Sequence, residues 1–67
     1  MLPMNATDKN ELRERAVAML RRAIAKGLDV AAFADDLDIN PEAIGRWLAK
    51  ENLPPFATAE RIIALLA

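Results

Sequence analysis

The polar side chains of this chain suit recognition better than reaction. Proton transfer and nucleophilic attack draw on histidine, cysteine or an activated serine, and the sequence contains none of the three. Asp35 and Asp36 are neighbours, but adjacent helical residues point about 100° apart, so they form no carboxylate dyad. No run of residues has the spacing of a metal cage or a glycine-rich phosphate loop. We therefore expect neither an enzyme nor a cofactor. What remains is hydrogen bonding and charge, concentrated where Asn40, Glu42, Arg46 and Lys50 follow one another along a single predicted helix.

The elements that would position these residues can be read from hydrophobic period and capping signals. Residues 1–6 read as a tail ahead of a single domain over 7–67. Thr7 and Asp8 are both N-cap residue types, and Asp8 with Glu11 has capping-box spacing. A first helix is expected from about Lys9 to Lys26, because Leu12, Ala16, Met19, Leu20, Ala23 and Ile24 form one stripe of a 3.6-residue period. Glu11 and Arg15 have the spacing of a favourable pair, and Gly27 is the expected stop.

Asp29 is placed to cap a second helix, Val30 to Leu37, with Val30, Phe33, Ala34 and Leu37 on one face. Asp35 and Asp36 fall in its last turn, where negative charge opposes the helix dipole, so the arginines of the first helix are expected to compensate. Asp38 marks a sharp bend, and Ile39 follows as an apolar plug. Asn40 as N-cap, Pro41 at the first helical position and Glu42 in the first turn give the third helix its start. It is expected to reach about Lys50 or Glu51, with Ile44, Trp47 and Leu48 buried. Gly45 inside it costs about 1 kcal/mol relative to alanine, which suits close approach by another helix or a ligand. Pro54 and Pro55 break the chain. Thr58 is the expected cap of a last helix, Ala59 to Leu66.

Composition limits the classes available. Sixty-seven residues make one small domain, and such a chain buries only about 60% of its unfolded surface. Alternating apolar runs are lacking, so no sheet is expected. Cysteine is absent, residues 1–6 lack the charged start and apolar run of a signal peptide, and no apolar run approaches the ~20 residues of a membrane helix. We expect a soluble cytoplasmic protein. The net charge of −1 conceals segregation: residues 9–26 carry +4 and residues 27–45 carry −5. A surface divided in this way orients partners.

Ala34, Leu37, Ile39, Ile44, Trp47 and Leu48, together with the run Ile-Gly-Arg-Trp over residues 44–47, resemble the lambda-repressor-like (Cro-type) helix-turn-helix family. Pro54 followed by Ile62, Leu65 and Leu66 is similar to the family's proline-then-helix ending. The resemblance spans residues from about 11 to 66 and implies an all-α domain of four or five short helices. It departs from the family at the turn, where Asp38 stands in place of glycine. It departs again at the start of the second helix, where Val30 and Ala31 replace the usual polar phosphate contacts.

The function implied by the resemblance is sequence-specific binding of double-stranded DNA by a small regulator, a repressor acting as a homodimer through its C-terminal helix, with Ile63 or Leu66 in the contact. The third helix would present Asn40, Glu42, Ala43, Gly45, Arg46, Ala49 and Lys50 to the major groove. Arg46 suits guanine, Asn40 adenine and Glu42 cytosine, while Lys50 suits phosphate. Asn40 has the alternative role of a helix cap. Trp47 is placed for the core rather than for stacking. A second class stays open: a protein-interaction module of the same fold, such as a phage or plasmid inhibitor, meeting a basic partner through the acidic 29–42 surface.

Overall fold

A computed structural model describes residues 6–67 as four helices, with no strand among the described residues. These are α1 (Ala6–Ala25), α2 (Val30–Leu37), α3 (Pro41–Leu48) and α4 (Phe56–Leu66). The chain is all-α. None of its described helices is long and apolar enough to cross a membrane.

The core is built on alanine as much as on large side chains. Ala16, Ala34 and Ala59 are fully buried beside Leu20, Ile44 and Ile62, with Val17, Phe33, Leu37 and Trp47 closing around them. A methyl group at a helix contact lets two backbones approach closely, which suits a domain too small to enclose many bulky residues. Along α1 the stripe is centred on Ala16 and Leu20 as expected. Val17 joins the buried set, while Leu12, Ile24, Met19 and Ala23 lie at its half-buried margins. α4 runs beside α1 in the same sense. Lys9 sits 5.8 Å from the Phe56 ring centroid near one end, and Leu66 shares a surface hollow with Met19 and Lys26 near the other.

α1, α2 and α3 all end in the same way. In each, one residue enters the left-handed region: Gly27 at φ 109, Asp38 at φ 57 and Lys50 at φ 64. The next amide then reaches back to a carbonyl five residues earlier. Leu28 N–H donates to Ala23 O, Ile39 N–H to Ala34 O and Glu51 N–H to Arg46 O, each at 3.0 Å. This Schellman pattern satisfies carbonyls that a helix end leaves without partners. Leu28 and Ile39 also turn against the core, which supplies the apolar contact that accompanies the motif.

The starts are capped where side chains allow. Asp29 accepts from the amides of Ala31 and Ala32, and Asn40 accepts from the amide of Glu42 at 2.9 Å.

Four boundaries differ from expectation. α1 begins at Ala6, so Thr7 and Asp8 lie inside the helix rather than capping it, and Ala6 is not part of a tail; the rest of the expected tail, residues 1–5, lies outside the described residues. At its other end α1 stops at Ala25, one residue short of Lys26. α3 stops at Leu48, short of Lys50, because Lys50 leaves right-handed space. α4 begins at Phe56 rather than Ala59, with Pro55 at its N-cap and no side-chain cap; Thr58 is helical. The Pro55 carbonyl accepts the amide of Ala59 at 2.9 Å, so a proline that cannot continue one helix opens the next.

Three arginines tie the ends of elements together. Arg13 donates through Nε to the Pro54 carbonyl at 2.7 Å and through Nη2 to Leu53 O at 3.4 Å. Arg21 Nη2 donates to Leu48 O at 2.9 Å, and Arg61 Nη2 to Asp36 O at 3.0 Å. Compensation at the acidic end of α2 therefore comes from α4 and not from the arginines of α1. Two of the α1 arginines serve the carbonyls around the α3–α4 connection instead. Replacing Arg13 with methionine keeps the apolar stem and removes a part-buried charge-assisted bond, which is expected to cost roughly 1.5–3 kcal/mol in urea unfolding.

Candidate nucleic-acid interface

α3 is amphipathic over its eight residues. Ile44 and Trp47 are buried and Leu48 is half-buried, which fixes the inward side. By helical geometry the opposite side carries Glu42, Gly45, Arg46 and Ala49, all exposed, with half-buried Ala43 on the flank. The left-handed residue at Asp38 and the back-bond from Ile39 to Ala34 set the angle at which α3 leaves α2. Only Asp38, Ile39 and Asn40 separate the two helices. Asp38 thus takes the conformation for which glycine is the common choice, as aspartate can at modest cost.

Of the seven residues that the sequence points to, Glu42, Gly45, Arg46 and Ala49 form one exposed strip and Ala43 borders it. Asn40 stands at the head of the helix as its cap; Oδ1 is engaged with the Glu42 amide. Lys50 is separated from the strip. It lies beyond the end of α3 and lines a groove behind it with Trp47 and Arg21. A lysine at a left-handed position carries a backbone cost of about 1–2 kcal/mol that glycine would avoid. Nothing in the local sequence announces this turn, since the usual glycine signal is missing.

Gly45 has no internal explanation. Apart from its two chain neighbours and the backbone of its own helix, no atom lies within 4 Å of the place its Cβ would occupy. One of the two uses foreseen for it, close contact with another helix of the same chain, is therefore not what the structure has.

The charge around the strip is mixed. Arg46 is exposed on it, as is Glu42, and the carboxylates of Asp29, Asp35, Asp36 and Asp38 belong to exposed residues of α2 and its two flanking turns. Among the described residues no group of three or more carboxylates is gathered tightly enough to hold a metal ion. Comparison with protein-family models, with curated proteins and with solved structures gave no significant match.

Open space at the Gly45 Cβ position makes a simple prediction about stability. Gly45→Ala is expected to raise the free energy of unfolding by about 0.5–1 kcal/mol, because it removes helix-opposing freedom and meets no neighbour. A shift of the urea midpoint at constant slope is the check.

Proposed function

We propose that this chain is a small lambda-repressor-like helix-turn-helix protein that binds double-stranded DNA sequence-specifically and acts as a transcriptional regulator, most simply a repressor. The observation that carries the reading is Gly45. It weakens the middle of a short helix, faces outward, and is required by nothing inside the protein. Flanked on the same face by Ala49 and bordered by Ala43, it leaves a shallow strip along which α3 can lie deep in a major groove. Arg46 is exposed on this strip and its guanidinium suits guanine, while the exposed carboxylate of Glu42 suits cytosine.

In this reading Asn40, at the head of the docking helix, acts first as the cap that starts it. Lys50, set back from the strip, is left to phosphate or to another role. The copy-to-copy contact is proposed for α4, but through Leu65 rather than through Ile63 or Leu66. Leu65 is 52% exposed, whereas Ile63 and Leu66 pack against the core. Two copies would then meet half-sites about 34 Å apart.

A second reading has an observation of its own. Arg61 meets the Asp36 backbone carbonyl, and Arg13 and Arg21 are directed to carbonyls elsewhere. The acidic surface of residues 29–42 is thus left facing outward, as a docking face for a basic protein partner would be.

Selection from a pool of random duplexes, followed by affinity measurement on the enriched site, tests the first reading. Arg46→Ala is expected to weaken specific binding by about 1–3 kcal/mol and to relax preference at one base pair. Gly45→Ala is expected to weaken binding while stabilising the protein, a combination that a purely structural glycine would not give. The double charge reversal Asp35→Lys with Asp36→Lys separates the readings. It should tighten DNA binding if the first holds and abolish capture of a basic partner if the second does.

A further inference from the structure

A groove of about 440 Å³ lies behind α3, between α1 and the segment joining α3 to α4. Val17, Trp47 and Leu53 contribute to its apolar floor, and Arg21, Lys50 and Glu14 stand along its rim. Two cations face one carboxylate there, so the rim favours an anion. The size is within the range of small-molecule sites, which are typically apolar with a few directed polar groups.

Two further observations point to the rim as a binding feature. Lys50 is held at φ 64, where a Cβ is unfavourable and glycine is the usual residue. Strained residues other than glycine gather at functional sites, and this one lines the groove. Arg21 is anchored from the other side: one guanidinium nitrogen donates to Leu48 O at 2.9 Å. That bond holds the planar head at the end of α3 and uses only one of its five donors.

We infer that the groove binds a small carboxylic acid with an apolar body, the carboxylate between Arg21 and Lys50 and the body over Val17, Trp47 and Leu53. The site is distinct from the α3 strip. Trp47 faces away from Glu42, Gly45 and Arg46, so the inference does not depend on the DNA-binding reading and fails or stands without it.

Trp47 is the chain's one tryptophan, so its emission reports on the groove directly. The experiment titrates the full chain with decanoate below its micelle concentration, and in parallel with decanol. Apolar contact alone would rank decanol equal or higher. A saturable change in Trp47 emission with decanoate is expected, with decanol binding about fivefold more weakly. Lys50→Gly should lose a similar factor for decanoate without lowering the thermal midpoint, since it also relieves the left-handed backbone. Lys50→Arg should retain most of the affinity. The inference is overturned by the absence of a saturable change, by decanol binding as tightly as decanoate, or by unchanged decanoate affinity in Lys50→Gly.

Discussion

The left-handed reversal at Asp38 is the constraint on which the rest of the molecule depends. It ends α2 and returns the Ile39 amide to the Ala34 carbonyl. It also delivers Asn40 and Pro41 in the geometry that starts α3. The direction of α3, and therefore the identity of its outward residues, follows from that one residue's backbone. Ala34 is fully buried and supplies the carbonyl that closes the turn. One small residue thus serves both the core and the bend. The same device at Gly27 and Lys50 turns the chain at the two neighbouring corners, so the four helices are arranged by three repeats of one hydrogen-bond pattern.

Polar side chains reinforce this backbone framework by reaching carbonyls rather than carboxylates. Arg13, Arg21 and Arg61 each bridge from one helix to the end or connection of another. In a domain of this size such bonds matter, because the apolar core is small and total stability is expected to be only several kcal/mol. They also explain why segregated charge along the chain does not simply collapse on itself. Arginines that would otherwise neutralise the acidic segment hold the α3–α4 connection in place instead.

Much of this was legible in the residues. The apolar periods located all four helices, and the Asp29, Asn40 and Pro41 signals placed two helix starts to the residue. The bend at Asp38 was readable because aspartate tolerates left-handed backbone. The outward strip Glu42, Gly45 and Arg46 followed from the positions of Ile44 and Trp47 alone. Other features left no local trace. Lys50 ends α3 in a conformation that its residue type disfavours, so propensity extended the helix through it. The early start of α4 depends on Pro55 meeting Ala59 across one turn, whereas Thr58 offered a stronger but unused capping signal. The long-range partners of Arg13 and Arg21 are 27 to 41 residues away in sequence. They are backbone groups, which no pattern of side chains can reveal.

We propose the outward strip of α3 as a DNA-docking surface. Titration of the isotope-labelled protein with duplex DNA, followed by amide chemical-shift mapping at two salt concentrations, tests it most directly. Docking through the strip should give shifts concentrated at residues 40–46, fading steeply as salt rises because phosphate contacts are screened and counterions compete. Shifts confined to the acidic residues 29–38, or none at low salt, would contradict it.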